Sequence, residues 1–333
     1  MTAAQLQGAR GVSPRDWTRH RTSRRLWAVA RLLGGAAILA IIVSRLGTGP
    51  FLHGLRAVSG WSLAAAAGIT VVTTVCSAWR WSLVARGLGV AVPLRTATAA
   101  YYRSQFLNTV LPGGVHGDVD RAVRHGRDAG DVGRGLRAVA WERYAGQVVQ
   151  LALALSVLLL LPSPVPLSVS LVVAAAVVGA FGGVLLIRGL RPRGTSSWAR
   201  SLRAAGTDIQ VGLLARRAWP GVALASVMVV AGHLATLFLA ARTAGATLPT
   251  LQFLPLAMMV LVAMAVPTNI GGWGPREGMA AWAFGAAGLG ADQGVATATV
   301  YGVLALAATL PGAPLIAAAW LRRHRRAEGG VRG

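Results

Sequence analysis

Lysine is absent from this chain of 333 residues, so all 33 of its basic residues are arginine. Acidic residues number only 10, and charged residues make up 13% of the chain, whereas about a quarter of the residues in a soluble domain are charged. Hydrophobic residues reach 54% and the mean hydropathy is +0.57. This composition excludes an ordinary soluble domain and is typical of a polytopic membrane protein.

Cysteine occurs once, at Cys76 inside an apolar run, so neither a disulfide framework nor a cysteine-based zinc site can form. The chain also lacks a G-x-x-x-x-G-K-[ST] phosphate loop and an H-E-x-x-H zinc motif, which excludes ATPases and metalloproteases of those types. No Ser–His constellation of a lipid phosphatase is present, and segment 47–60 contains no acid for a polyprenyl-sugar-dependent transferase. We therefore expect no metal and no cofactor.

The formal net charge is +23, a value that raises the question of nucleic-acid binding. The arginines, however, lie in blocks between apolar runs. Such blocks are the topology signal of a membrane protein, because cytoplasmic loops are rich in basic residues. Anionic membrane lipids, and not nucleic acids, are therefore the expected partners.

Six segments are long and apolar enough to cross roughly 30 Å of hydrocarbon, which takes about 20 helical residues. These predicted spans are 26–46, 61–79, 140–161, 165–187, 219–241 and 294–320. The first is interpreted as a retained signal anchor, because it lacks a convincing cleavage site. The last contains Pro311 and Pro314, where we expect a kink.

The distribution of arginine assigns the sides of the membrane. Arginine-rich segments, expected in the cytoplasm, are the tail 1–25, the loop 188–217 and the tail 322–333. Arginine-poor connections, expected outside, are 47–60, 162–166 and 242–250. The prediction is a multi-pass protein of the cytoplasmic (inner) membrane with both termini in the cytoplasm.

Two further apolar segments, 96–118 and 251–290, are interrupted by proline and glycine. We interpret them as re-entrant hairpins that enter from the cytoplasm and from the outside, respectively. The halves 26–161 and 165–321 then share the order span, span, hairpin, span in opposite orientations, which is the pattern of an inverted repeat. The predicted fold class is an all-α membrane bundle of six full spans and two broken hairpins; eight plain spans are the alternative.

The second hairpin contains the sequence "MAVPTNIGGWGPREG" at residues 264–278. A helix that restarts at Pro275 would present free N–H groups and its positive dipole end to the break, and Arg276 adds a forked cation that suits phosphate. This combination favours a phosphate-like anion; the alternative is that Arg276 and Glu277 only neutralise each other. The candidate binding residues in this hairpin are Pro267, Asn269, Gly271, Gly272, Gly274, Arg276 and Glu277.

The first hairpin, with its tip predicted at residues 112–114, contains a second group of candidate binding residues. They are Asn108, Gly113, Gly117, Asp118 and Arg121. Asp118 and Asp120 form a D-x-D motif, which holds a metal-bound nucleotide in many soluble sugar transferases. Here the motif runs into an arginine-rich stretch, so pairing with neighbouring arginines is favoured over metal binding.

Glu142 and Arg143, which open the third full span, are also candidate binding residues. They either anchor that span at the membrane interface with Trp141 or face the first hairpin inside the bundle, and the sequence leaves both interpretations open. Arg80, between two tryptophans at a span end, is interpreted as a snorkelling interfacial residue. His233, in the middle of a span, is expected to hydrogen-bond another helix rather than to relay protons.

The motifs "LPGGVHGDVDRA", "ERYAG" and "VPTNIGGWGPREG", in this order, resemble the flippase-like family of membrane proteins, which includes the membrane domain of lysylphosphatidylglycerol synthases. The resemblance covers about residues 26–322. It implies the movement of lipids with phosphorylated head groups, such as aminoacylated phosphatidylglycerol or polyprenyl-phosphate glycolipids. The family positions that it implies are Gly117, Asp118, Arg121, Glu142, Arg143, Pro267, Gly271, Gly272, Gly274, Arg276 and Glu277.

Two departures from the family pattern bear on the activity. The chain ends at residue 333 without the large soluble aminoacyl-transferase domain, and His116 stands where a small residue is more usual. The prediction is therefore a lipid flippase or lipid-transport protein rather than an enzyme, and lysyl transfer is not expected. The alternatives are a membrane-embedded glycosyl- or acyl-transferase with Asp118 or Glu277 as base, and an accessory scaffold of a separate cell-envelope lipid enzyme.

Overall fold

The computed structural model describes residues 33–111, 114–162, 167–189, 196–247, 249–266 and 273–329. This part of the chain is helical throughout its regular structure and contains no strand, which confirms the all-α prediction. Helices are the expected solution in a membrane, because they satisfy the backbone N–H and C=O groups within one segment.

The helices are numbered here in chain order, and α8 continues into one π-helical turn, Ile209–Leu213. They are α1 (Leu33–Leu46), α2 (Gly49–Ala57), α3 (Gly60–Gly87), α4 (Leu94–Val110), α5 (His116–Asp128), α6 (Val132–Leu160), α7 (Leu167–Gly189), α8 (Ser197–Asp208), α9 (Trp219–Thr243), α10 (Thr250–Met264), α11 (Pro275–Ala286), α12 (Ala291–Thr309) and α13 (Gly312–Gly329).

Within the described residues, five helical segments are long and apolar enough to cross a membrane. They are α3, α6, α7, α9 and the segment Ala291–Leu321, which joins α12 to the start of α13. These five correspond to five of the six predicted spans, and the protein is a multi-pass membrane protein. The remaining predicted span, 26–46, lies partly outside the described residues; its described part is α1, which with α2 forms a pair bent by 97°.

The last span is interrupted at the position where the kink is predicted. α12 ends at Thr309 and α13 begins at Gly312, so the interruption contains Pro311. Proline has no backbone N–H to donate to the preceding turn, and its ring clashes with the carbonyl group there. The helix therefore ends and restarts at this residue.

Both predicted hairpins consist of two helices that flank a break. α4 and α5 flank the break at 111–115, and α10 and α11 flank the break at 265–274. In each hairpin the two helices pack against each other. The first hairpin is longer than predicted, because α5 continues to Asp128.

The spans near charged residues also extend beyond their predicted ends. α3 continues past the predicted end at residue 79, so Arg80 lies inside this helix. α6 begins eight residues before the predicted residue 140, at Val132, where the carboxylate of Asp131 accepts a hydrogen bond from the N–H of Arg134 (2.9 Å). Hydropathy alone predicts that a span ends at such charged residues, because the sequence does not show that their charges are paired.

Three pairs of helices form the framework of the bundle: α3 packs on α9, α5 on α6, and α11 on α12. α12 also packs on α3, and α6 on α9. Glycine permits two of these contacts. A Cβ on Gly135 of α6 would lie 2.4 Å from the carbonyl oxygen of Ala122, and one on Gly294 of α12 would lie 2.2 Å from that of Ala280. Small residues of this kind let membrane helices approach closely.

Candidate functional site

A cavity of about 310 Å³ lies between the two helix breaks. Asn108 and Gly114 line it from the first hairpin, and Trp273, Pro275 and Arg276 line it from the second. Side chains from α3, α6, α9 and α12 close the remaining sides. This volume is at the lower end of the range for small-molecule sites, so residues far apart in sequence enclose a ligand-sized space.

Three arginines of the described part of the chain line this cavity: Arg80 from α3, Arg143 from α6 and Arg276 from α11. Arg143 has 43% of its side chain exposed, whereas Arg80 and Arg276 are buried. No Asp or Glu is among the described lining residues. We refer to this space below as the arginine-lined cavity.

Arg276 follows a sharp turn at the start of α11. Gly274 has φ +119°, a conformation that glycine adopts readily, and Pro275 follows as the first helical residue. The carboxylate of Glu277 accepts hydrogen bonds from the Gly274 N–H (2.7 Å) and from Arg276 Nε (2.9 Å). The pairing of Arg276 with Glu277, which the sequence left as the alternative to anion binding, is therefore present, and the N–H of Gly274 is bound by Glu277.

The guanidinium group of Arg276 is also held by aromatic rings. Its Cζ lies 5.1 Å from the ring centroid of Trp273 and 5.3 Å from that of Tyr301, distances at which an aromatic face attracts a cation. The hydroxyl group of Tyr301 is hydrogen-bonded to Nδ1 of His233 at 2.9 Å. His233 thus joins α9 to α12, which confirms the predicted helix–helix hydrogen bond.

Glu142 faces the interior of the bundle and is fully buried. It accepts hydrogen bonds from Arg80 Nε (2.7 Å) and Nη2 (2.5 Å), and from Arg121 Nη2 (3.2 Å). Of the two interpretations left open by the sequence, the interior one is correct for Glu142. Arg80 additionally donates to Ser226 Oγ on α9 (3.1 Å), so its prediction as a snorkelling interfacial residue is wrong.

Asp118 is the third residue of α5 and accepts four hydrogen bonds. The donors are Ser104 Oγ (3.1 Å), Asn108 Nδ2 (3.0 Å), Arg121 Nη2 (3.0 Å) and Arg143 Nη2 (2.5 Å). Burial alone would raise the pKa of Asp118, but the guanidinium groups of Arg143 and Arg121 lower it to about 2. Asp118 is therefore a carboxylate at neutral pH.

Polar contacts join the two helices that flank the first break. Asn108 accepts a hydrogen bond from the N–H of Gly117 through Oδ1 (2.7 Å), and a Cβ on Gly117 would lie 2.0 Å from the carbonyl oxygen of Ser104. Asp120 pairs with Arg124 (2.6 Å) and not with the side chains that donate hydrogen bonds to Asp118. The D-x-D acids therefore pair with arginines, as predicted, and the described residues hold no cluster of His, Cys, Asp and Glu suited to a metal ion.

Arg121 is 1% exposed and lies between two aromatic rings. Its Cζ is 4.5 Å from the ring centroid of Trp81 and 4.0 Å from that of Tyr101. Its Nη2 bonds Asp118 and Glu142, whereas its Nε and Nη1 have no hydrogen-bond partner within the described residues. Arg121 therefore holds the carboxylates behind the cavity and does not line it.

These contacts form two separate groups of paired residues, and we call the two groups together the charge centre. Its members are Arg80, Arg121, Arg143, Arg276, Asp118, Glu142 and Glu277. Four arginines against three carboxylates leave one unit of positive charge. The arginines that line the cavity lie between it and the carboxylates that they bind. A ligand in the cavity therefore meets positive charge.

The sequence-predicted site residues fall into three classes. Those that line the arginine-lined cavity are Asn108, Arg143 and Arg276. Those near it without lining it are Gly117, Asp118, Arg121, Glu142, Gly274 and Glu277. Those outside the described residues are Gly113, Pro267, Asn269, Gly271 and Gly272.

Several lining residues were not predicted as binding residues, among them Arg80, Tyr101, Gln105, His233 and Tyr301. Arg80 and His233 carried a usable signal, because an ionisable residue within a membrane span usually faces the bundle interior. The tyrosines and Gln105 carried none, since nothing in the sequence shows which face of a span they occupy.

Residues 27–312 match the family model described as the lysylphosphatidylglycerol synthase TM region. The matched range includes both helix breaks and all the described residues that line the cavity. No curated protein and no solved structure matches the chain.

Proposed function

Since the chain belongs to the family of the lysylphosphatidylglycerol synthase TM region, a family of membrane proteins associated with lipid handling, we propose that it is a lipid flippase or lipid-transport protein. The arginine-lined cavity holds the phosphorylated head group of the lipid, and the acyl chains stay in the bilayer. The head group belongs to an aminoacyl-phosphatidylglycerol or a polyprenyl-phosphate-linked lipid.

One observation carries this proposal: the two helix breaks line one cavity, and three arginines face into it. A guanidinium group binds phosphate oxygens with two parallel hydrogen bonds and stays charged at any physiological pH. Non-helical backbone is tolerated at membrane depth where it lines a water-filled cavity. A head group in this cavity would therefore find both its charge partners and a polar environment.

An inverted repeat is part of the proposal and is supported by the spacing of the helices. α3 begins at residue 60 and α9 at residue 219; α5 begins at 116 and α11 at 275; α6 begins at 132 and α12 at 291. One shift of 159 residues therefore relates the starts of the helices in these three pairs. The same shift takes Asp118 to Glu277 and Gly135 to Gly294, so each hairpin has an acid at the third residue of its second helix.

The packing of the helices supports the same repeat. If each helix is replaced by its counterpart in the other half, the α5–α6 contact becomes α11–α12, the α12–α3 contact becomes α6–α9, and the α12–α4 contact becomes α6–α10. All six of these contacts occur. α3 and α9 exchange with each other and pack together. In transporters of this design, one half rocks against the other around a site between paired broken helices.

The proposed location is the cytoplasmic membrane with both termini in the cytoplasm. The arginine-rich segments predicted to be cytoplasmic would attract anionic lipid by about 1 kcal/mol for each residue near the surface. A separate cell-envelope lipid enzyme is a suitable partner, because it would supply or consume the transported lipid.

The transferase alternative requires a free carboxylate as a base. Asp118 and Glu277 do not line the cavity, and both are hydrogen-bonded by arginine. Each carboxylate is therefore already engaged by a guanidinium group and is not presented to a substrate in the cavity. These contacts favour transport over transfer.

The test uses the purified full chain in proteoliposomes with phospholipid of labelled head group. An impermeant reagent reports the fraction of label in the outer leaflet over time, and mass spectrometry reports the head-group mass. A flippase moves the label at constant mass, a transferase changes the mass, and an accessory scaffold does neither.

Arg276→Gln is the informative variant. Loss of a charge-assisted contact to phosphate is expected to slow movement at least about tenfold. Arg134→Gln is the matched control, because Arg134 is half exposed and pairs with Asp131 in a surface salt bridge. Movement at the normal rate by folded Arg276→Gln protein would contradict the proposed anion site.

A further inference from the structure

The charges that face the arginine-lined cavity have one sign. Among the described residues, its charged lining consists of Arg80, Arg143 and Arg276. The breaks also contain residues 112–113 and 267–272 outside the described part, whose sequences, "PG" and "PTNIGG", include no acid. The lining formed by the described residues therefore offers a ligand cations but no carboxylate partner.

Threonine hydroxyls form the second class of polar lining. Thr73, Thr109, Thr236 and Thr309 all line the cavity, and each donates its hydroxyl hydrogen to a carbonyl oxygen in its own helix at 2.8–3.1 Å. A hydroxyl group that has donated its hydrogen retains lone pairs as an acceptor. The cavity can therefore accept hydrogen bonds from hydroxyl groups of a ligand.

We propose that the cavity selects lipids whose head group combines a phosphate with free hydroxyls, and that it rejects lipids whose head group carries an amino group. This inference rests on the proposed function. Of the two lipid classes named there, it keeps the glycosyl phosphate, and it replaces the aminoacylated phosphatidylglycerol by the unmodified phosphoglycerol lipid. The phosphate binds the arginines, and the hydroxyls donate to the threonines.

An aminoacylated head group fits this lining poorly. Its ammonium group would lie among three guanidinium groups, and the nearest carboxylates, Asp118, Glu142 and Glu277, are already bound by arginine. Like charges brought together without a partner suppress the wrong ligand. We expect an aminoacylated lipid to move at least about tenfold more slowly than its unmodified parent, the factor that corresponds to 1.4 kcal/mol.

The experiment compares three lipids in proteoliposomes that contain the full chain. They are phosphatidylglycerol, the same lipid with a lysyl ester on its head group, and a polyprenyl-phosphate hexose. We expect the first or the third lipid to move, and the one that moves identifies the source of the head group. The lysyl lipid should move at least about tenfold more slowly than that lipid. Equal or faster movement of the lysyl lipid would overturn this inference and leave the proposed function intact. Movement of none would overturn the proposed function, and the inference with it.

A charge swap tests the cause of the selection. Thr309→Asp places a carboxylate in the lining and is expected to raise the rate of the lysyl lipid relative to phosphatidylglycerol by about tenfold. Thr309→Asn, of similar size and uncharged, is the matched control and should leave that ratio unchanged. If Thr309→Asp fails to fold by gel filtration, Ser77→Asp places the charge at another lining residue. An unchanged ratio in a folded Asp variant would contradict the proposed selection.

Discussion

At the scale of the residue, the buried carboxylate of Glu142 connects helices that are distant in sequence. It binds Arg80 of α3 and Arg121 of α5, and both arginines are buried. Removing one partner of a buried ion pair costs about 3–5 kcal/mol, because the remaining charge stays buried without compensation. Glu142→Gln is therefore expected to lower the free energy of unfolding by about that amount, measured by denaturant titration in detergent.

Asp131→Asn is the control for this prediction. Asp131 pairs with Arg134, and both side chains are about half exposed, with 42% and 50% of their surface accessible. Such a pair contributes about 0–1 kcal/mol, and asparagine can still cap α6. Equal effects of the two substitutions would contradict the stabilising role of the buried charge centre.

The sequence reveals these residues only in part. Asp118, Arg121, Glu142 and Glu277 could be selected because charges within apolar surroundings are unusual. Their partners could not, since Arg80 and Glu142 are 62 positions apart and only the packing of α3 on α6 brings them together. A position-by-position reading therefore placed Arg80 at the interface.

At the scale of the element, two glycines determine how closely the second helix of each hairpin approaches the span that follows. A Cβ at Gly135 or Gly294 would lie within 2.4 Å of a carbonyl oxygen on the facing helix. Gly135→Ala and Gly294→Ala are each expected to destabilise the protein by about 1–3 kcal/mol through overpacking. Thermal unfolding in detergent measures the change.

Gly68→Ala provides the comparison within a span. Gly68 lies in α3 and has no heavy atom within 4 Å of an added Cβ. Alanine is the better helix former by roughly 1 kcal/mol, so this variant should unfold at the same or a higher temperature. If all three variants behave alike, close helix approach does not explain the two glycines.

Element positions could largely be predicted from the sequence, because apolar length and the Pro/Gly breaks are local properties. The predicted ends were less accurate. α5 remains helical over the polar sequence "HGDVDRAVRHGRD" since its charged residues find partners on α4 and α6 and within the helix. Helical structure there depends on tertiary contacts that hydropathy does not contain.

At the scale of the whole molecule, the proposed inverted repeat predicts that equivalent residues lie on opposite sides of the membrane. Arg127 and Ala286 are both exposed and differ by the same 159 residues that relate the helix starts. In a Cys76→Ala background, Ala286→Cys should react with an impermeant maleimide in intact cells. Arg127→Cys should react only after permeabilisation.

Permeabilised cells serve as the internal control, since both cysteines should then react to the same extent. Labelling of both positions from one side would contradict the inverted arrangement, whatever the lipid assay shows.

The family and the helical class were evident from the motifs and the composition. The meeting of both breaks at one cavity was a hypothesis that needed the packing of α4 and α12 on α3, and of α11 on α12.

The charge centre has an electrical consequence for a transport cycle. Its seven residues sum to one positive charge, and a lipid phosphodiester carries one negative charge, so the loaded protein is electroneutral there and the unloaded protein is not. On the proposed function, lipid-for-lipid exchange moves no net charge, whereas return of the vacant site does, at about 2.3 kcal/mol for a full crossing of 100 mV. A diffusion potential across the liposome membrane should therefore change the rate of net lipid movement and leave the rate of exchange unaltered.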